Sequence, residues 1–340
     1  MSEPIKWAVL GNATIARVCV IPAIQKSRNG RVIALASLNP GRSRELVSQW
    51  NIPRLYDRYE IALDDPEIDA VYIPLPNHLH HHWTLRALEA GKHVLCEKPL
   101  ACNAREAREM AGAASRSGCL LMEAFMYRFH PRTRHIKQMV REGAIGKPCL
   151  VHSSFCFPME AGILAGGEDA RLQRGRGGGA LLDVGCYSVN LARWLFDAEP
   201  VRAQGQAVYH PNGVDVHFVG SLSFPGNGLT ALEASFISAL QQTFTVAGLE
   251  GAIELPHDAF IPWEKEALFT FRRQDQEKGE IRRFPGSDEY RLMVEHFADA
   301  VAGQCRLEVP PEDSVQNMLV LDALAEAART GLTRQPGESS

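Results

Sequence analysis

A chain of 340 residues, 45% hydrophobic and 22% charged, has an ordinary globular composition and room for two domains, each with its own core. A net charge of −4, a pI of about 6.3 and scattered arginines argue against a surface built for nucleic acid or an anionic membrane, leaving small molecules and copies of the same chain as expected partners. No stretch supplies the roughly 18 apolar residues of a membrane span. The opening "MSEPIKWAVLG" does not read as a secretory signal or transit peptide, and eight cysteines without a C-x-x-C pair read as buried free thiols of a reducing cytoplasm.

The first 125 residues alternate short apolar runs ("IKWAVLG", "RVIALASL", "DAVYIPLP", "KHVLCEKP", "GCLLMEA") with helical patterns. This rhythm predicts a parallel sheet wrapped by helices, in which ligands bind at the carboxyl ends of strands, where strand order reverses.

"VLGNATIA" stands at the first strand-to-helix turn, where a dinucleotide fold carries its G-x-G-x-x-G loop. Here the three positions are Gly11, Ala13 and Ala16, so the pattern reads either as a phosphate loop or as plain helix-on-sheet packing. As a phosphate loop, Gly11, Ala13, Thr14 and Ile15 would present the helix start to a pyrophosphate. The second strand ends in "ASLNPGRSR". With Ser37 and Leu38 where a ribose-binding acid would stand, and Arg42 and Arg44 nearby, NADP(H) is favoured and NAD(H) stays open. Alternatively, both arginines simply coat a solvated helix.

"HVLCEKPLA" closes the next strands. Lys98 then lies at a strand's carboxyl end beside Pro99, an X-Pro bond able to adopt the cis form; the bland alternative is a surface lysine paired with Glu97. "NHLHHHW" crowds His78, His80, His81 and His82, but neighbouring histidines point apart and bring no partner cluster, so no metal site is expected.

After about residue 147 the runs become β-rich and are punctuated by Gly, Pro and Asn, which predicts a largely antiparallel second sheet. Two helical patterns and the polar "TRQPGESS" close the chain. Within this half, "GGGALLDVGCYSVN" reads as a glycine turn entering a helix, with Asp183, Tyr187 and Asn190 on one face. They form either a buried hydrogen-bonded pair with a neighbour or part of a site.

"CEKPLA", "PLPNHLH", "EAFMYRFHP" and "GGGALLDVGCY" together resemble the glucose-fructose oxidoreductase, inositol dehydrogenase and rhizopine-catabolism (Gfo/Idh/MocA) family over nearly the whole chain. The resemblance implies an α/β protein: a Rossmann domain over residues 1–125, and an α/β substrate and oligomerisation domain with an open, mostly antiparallel sheet over 126–332. A flexible tail would follow over 333–340. It also implies homodimers or homotetramers through that sheet. Lys98, Asp183 and Tyr187 match the family's catalytic positions, with Tyr187 as proton acceptor and Lys98 supplying the positive field that a phenol of ordinary pKa about 10 requires. Leu75, Pro76, Asn77, His80, Glu97 and Arg128 join the expected cofactor contacts, and Tyr127, Phe157 and Arg171 the expected substrate contacts. The aromatic residues of "EAFMYRFHP" could equally be core. The branch resembled holds sugar and dihydrodiol dehydrogenases. The expectation is therefore an NADP-dependent aldose 1-dehydrogenase acting on a sugar or sugar-like polyol. The alternatives are a 3-ketosugar reductase, acting on a free or a nucleotide-linked sugar, a trans-dihydrodiol dehydrogenase, or a non-catalytic NADP-binding regulator.

Overall fold

The computed structural model describes residues 3–338, which form two compact units: residues up to 129 together with 288–315, and residues 130–287 together with 316 onward. The first unit thus ends four residues beyond the sequence-based boundary and recovers a segment from near the carboxyl terminus.

The first unit contains six parallel strands: β1 (Ile5–Leu10), β2 (Gly30–Ala36), β3 (Arg54–Tyr56), β4 (Ala70–Ile73), β5 (His93–Cys96) and β6 (Leu121–Glu123), in the order β3-β2-β1-β4-β5-β6. Its helices are α1 (Ile21–Lys26), α2 (Arg44–Gln49), α3 (Tyr59–Asp64), α4 (Asn77–Glu89) and α5 (Ala104–Ser117). Trp7, Ala8, Val9 and Leu10 and all of β4 are fully buried, as expected of a parallel sheet covered on both faces, which reads as continuous rather than alternating hydrophobicity. The sequence pattern shows five of these strands. β3 escapes it because "RLY" is three half-buried residues, too short for any period to register. The order reverses between β1 and β4, so the loops after those two strands flank the switch point where such sheets bind ligands.

The second unit comprises α6 (Pro131–Arg141), β7 (Pro148–Cys156), α7 (Ala161–Gly166), α8 (Cys186–Phe196) and seven further strands. These are β8 (Arg202–Tyr209), β9 (Asp215–Ser223), β10 (Leu229–Ser235), β11 (Gln241–Gly248), β12 (Gly251–Leu255), β13 (Ala267–Arg273) and β14 (Glu280–Phe284). Its sheet runs β14-β13-β12-β11-β7-β10-β9-β8 and is antiparallel except where β7 and β10 run parallel. β14, "EIRRF", is largely exposed and charged, and so carried no hydrophobic signal.

Alternation sets the two faces of this sheet. On β9, Val216, Phe218 and Leu222 are buried, while Val219 is 46% exposed on the other side, the pattern of a sheet with one covered face. Two further helices, α9 (Glu289–Val301) and α10 (Pro311–Thr330), close the chain. α9 belongs to the first unit, where Phe297 packs on Trp7 with ring centroids 5.2 Å apart. α10 covers the second sheet at the facing pair Gly205 and Gly220. A Cβ on Gly205 would lie 2.6 Å from Phe218 and 3.1 Å from the Leu324 carbonyl, and one on Gly220 would lie 3.0 Å from the Leu324 side chain.

The expected flexible tail is anchored where it begins. Arg334 exchanges backbone hydrogen bonds with Ala203 at 2.7 and 2.9 Å, and Gln204 donates to the Thr333 hydroxyl at 2.8 Å. Ser339 and Ser340 lie outside the described residues. All eight cysteines are free, yet only Cys96, Cys156 and Cys186 are buried, and Cys305, in the loop after α9, is exposed. A Gly205→Ala substitution should lower unfolding free energy by about 1–3 kcal/mol through overpacking, measured by urea denaturation.

Candidate active site

Gly11 adopts φ +106°, and a Cβ there would lie 2.8 Å from the Leu75 side chain. Only glycine satisfies both conditions, so the switch point is closely packed backbone. The helix after it is not regular: Ala16–Val20 is a π stretch, and the α-helical register begins at Ile21, with Pro22 in its first turn, where its missing N–H costs least. Asn12 reaches across to the next loop, donating to the Arg42 carbonyl at 3.1 Å and the Ser43 hydroxyl at 3.0 Å. Ser37 is buried, Leu38 is 71% exposed and Arg42 and Arg44 are exposed. Neither arginine meets a carboxylate among the described residues. The loop after β2 therefore presents two uncompensated cations.

Lys98 is half-buried in the turn after β5, and its bond to Pro99 is cis. Three buried groups hold this turn. The Tyr72 hydroxyl donates to Glu97 at 2.5 Å, the Leu100 N–H donates to the Glu123 carboxylate at 2.8 Å, and the His80 ring contacts the Pro99 carbonyl through Nδ1 at 2.9 Å. His80 Nε2 lies 2.7 Å from the Leu75 carbonyl, so one ring ties the loops after β4 and β5 together. Burial pulls the His80 pKa below its ordinary value, opposed by the two carbonyls. Burial, reinforced by Glu97, pushes the Tyr72 phenol well above its usual range.

This geometry revises several expectations. His80 is fully buried with both ring nitrogens engaged; it braces the cofactor-side loops instead of presenting its ring to a ligand. Of the other crowded histidines, His78 is exposed, His81 pairs with Glu109 at 2.7 Å, and His82 packs edge-on against Trp83. Arg128 is 6% exposed and committed to the Asp313 carboxylate at 2.9 Å and the Glu308 carbonyl at 3.1 Å. Tyr127 is fully buried, edge-on to Phe125. Both belong to the interior, because the segment 126–129 forms a short buried 3-10 turn.

In the second unit, the glycine run has a steric cause. A Cβ on Gly178 would fall 2.5 Å from the Arg171 carbonyl, and Gly179, at φ +122°, would drive one into the Asp215 carboxylate. The helix that follows is a π stretch over Leu181–Gly185 before α8 begins. Asp183 therefore does not share one regular α-helical face with Tyr187 and Asn190, because the wider turn shifts its register. Tyr187 is 4% exposed, its ring 5.3 Å from both Phe155 and Phe260. Arg171 is gripped bidentately by Asp169 at 2.9 and 2.8 Å, and its guanidinium lies 5.7 Å from the Phe157 ring centre. Asp169 and, further off, the charge of Asp183 hold the Arg171 pKa above its usual value. Phe157 and Arg171 are thus neighbours, with the Arg171 charge already balanced by Asp169.

Family models match in both halves: an oxidoreductase family with an NAD-binding Rossmann fold over residues 5–125, and a GFO/IDH/MocA C-terminal domain over residues 133–254. The chain belongs to the Gfo/Idh/MocA family of oxidoreductases. It is 36% identical over 326 residues to a D-xylose 1-dehydrogenase (NADP(+)) of Haloferax volcanii, covering 96% of this chain and 98% of that one. Among solved structures, a 3-ketoreductase from Actinomadura kijaniata, in complex with NADP and TDP-benzene, aligns with TM-score 0.88 and 30% identity, covering 96% and 98% of the two chains. An aldose-aldose oxidoreductase from Caulobacter crescentus aligns with TM-score 0.88 and 26% identity, covering 98% and 100%. Such family members act on CH–OH or keto groups of sugar-related substrates.

Sequence reasoning overlooked Tyr72, Glu123 and Asp215. Tyr72 and Glu123 lie inside apolar strand runs, where a lone polar residue was the available signal: a buried polar group requires a partner. His80→Ala would remove the one N–H that a neutral ring donates to the Leu75 or Pro99 carbonyl and leave a cavity. Chemical denaturation should show a loss of about 3 kcal/mol.

Proposed function

We propose that the protein is an NADP-dependent dehydrogenase of a sugar hydroxyl, most simply an aldose 1-dehydrogenase. The observation that carries this reading is Lys98, a half-buried cation in a rigidly held turn at a strand's carboxyl end, in a chain similar throughout to a D-xylose 1-dehydrogenase (NADP(+)).

The cofactor assignment fits the chain's own residues. The backbone from Gly11 to Ile15 offers a close approach for a pyrophosphate. The loop after β2 supplies Arg42 and Arg44, with no acid at Ser37 or Leu38 to repel a 2′-phosphate. Leu75, Pro76, Asn77 and Glu97 complete the proposed cofactor side. When bound, NADP⁺ accepts the hydride, which is the hard chemistry of the reaction.

Tyr187 is the proposed base, taking the proton from the substrate hydroxyl. Its phenol needs a positive charge to do so at neutral pH, and Lys98 is the cation that the family resemblance adds to the catalytic set. Asp183 is assigned to orient the substrate by accepting a second hydroxyl proton. Phe157, with Arg171 above it, offers an apolar face and a guanidinium edge to a pyranose ring. The similarity to a 3-ketoreductase favours a second reading, in which the same residues work in reverse and Tyr187 donates its proton to a ketone. The exposed face of the second sheet, with Val219, Leu229 and Leu150 each at least 40% exposed, is proposed as the surface that joins copies into dimers or tetramers.

The test is NADP⁺ reduction, followed by absorbance, across a panel of aldoses, inositols and a trans-dihydrodiol, with NADPH titrated separately. Turnover of one aldose supports the reading, whereas tight NADPH binding with no oxidation of any panel member shifts the assignment to a ketosugar reductase or a regulator. Lys98→Ala and Tyr187→Phe should each lower kcat by about 10²–10⁴-fold, with NADPH affinity retained in fluorescence titration. Replacing Arg42 or Arg44 with Ala should weaken NADPH binding about tenfold and leave NADH binding unchanged. Val219→Glu with Leu229→Glu should yield monomers in sedimentation velocity.

A further inference from the structure

Asp215 opens β9, and its carboxylate is turned toward the glycine run that precedes Asp183 and Tyr187. Oδ2 accepts the Leu181 N–H at 2.6 Å. Gly179 carries no Cβ because one would occupy the place of Oδ1. Ala180 and Leu181 are the first residues of the helical run that holds Asp183 within its π stretch and Tyr187 in the first turn of α8. A helix start leaves its first N–H groups without intrahelical acceptors. Here the Leu181 N–H is met by a carboxylate 34 residues away in sequence, not by a neighbouring cap residue.

We infer that Asp215 is a positioning residue for Asp183 and Tyr187, its ionised carboxylate fixing the start of their helix through the Leu181 N–H. Because the first turn is π rather than α, the placement of Asp183 relative to Tyr187 depends on where that run begins. The carboxylate determines it, since an ionised acceptor holds the Leu181 N–H more tightly than a neutral acid or an amide does.

Burial raises the Asp215 pKa, opposed by backbone N–H groups. Among the described residues no ion pair offsets this. Tyr209 on β8 is the titratable group that feels the charge of Asp215, with the cations of Arg174 and Arg329 beside Tyr209. As pH falls, Asp215 therefore takes up its proton earlier than an ordinary aspartate, and the helix start loses an acceptor.

This inference rests on the proposed roles of Asp183 and Tyr187, so Tyr187→Phe is assayed beside it. In the wild type, kcat should fall on the acid side at a pH above that of an ordinary carboxylate, while NADPH affinity stays flat. Asp215→Asn should lower kcat about a hundredfold, as expected for a catalytic group displaced by about 1 Å. It should also remove that acid limb while NADPH binding is retained. Near-wild-type kcat in Asp215→Asn, or an unchanged acid limb, would overturn the inference. If Asp215→Asn does not fold, Asp215→Glu keeps the charge but moves the oxygens. A lowered kcat with a displaced limb supports the assignment, and wild-type behaviour overturns it. Should Tyr187→Phe itself retain turnover, the proposed mechanism fails, whereas an inactive Tyr187→Phe beside a normal Asp215→Asn removes only the role of Asp215.

Discussion

A half-buried lysine can hold one orientation only if the backbone beneath it cannot move, and the turn from Glu97 to Leu100 meets that condition. Its polar groups sit where water does not reach, so each must find a protein partner or cost the fold its desolvation energy. Tyr72 answers Glu97, Glu123 answers the Leu100 N–H, and His80 answers the Pro99 carbonyl. Those partners come from β4, β6 and α4, so the β4-β5-β6 side of the parallel sheet must be assembled before the turn is fixed. The site residue is thereby coupled to the global stability of its unit rather than to a local loop.

The second unit solves the same problem with a different group. Its glycine run is tight because the Arg171 carbonyl and the Asp215 carboxylate already occupy the space that side chains would take. A strand-borne carboxylate, instead of a cap residue beside the helix, meets the Leu181 N–H at its start. Tyr187 is then clamped by Phe155 and Phe260, which stack on one another with centroids 5.5 Å apart. In both units the fixity of the proposed reactive side chain comes from buried partners on other elements.

Much of this was legible beforehand. Continuous apolar runs of three to five residues announced β1, β2, β4 and β5, because burial on both faces removes alternation. The motifs around Lys98 and Asp183 pointed to the family that both halves of the chain match. β3 and β14 were not legible, one being too short and the other too charged to show a period. Tyr127 and Arg128 looked like lining residues because aromatic and cationic side chains serve sites and interiors alike. Burial at 0% and 6% and the Asp313 ion pair place them inside.

The sequence by itself determined the order of elements, the parallel and antiparallel halves, the family and the residue types at the chemistry-bearing turns, since these are written in local periodicity and short motifs. Only the tertiary structure decided that His80 is a brace, that Asp183 sits in a π turn, that Arg171 is already neutralised by Asp169 and that Asp215 holds the helix start. Each of these depends on a partner's exact distance or on helical register. Many of the partners are brought together from distant parts of the chain, and no local pattern encodes the energy of a buried hydrogen bond between them.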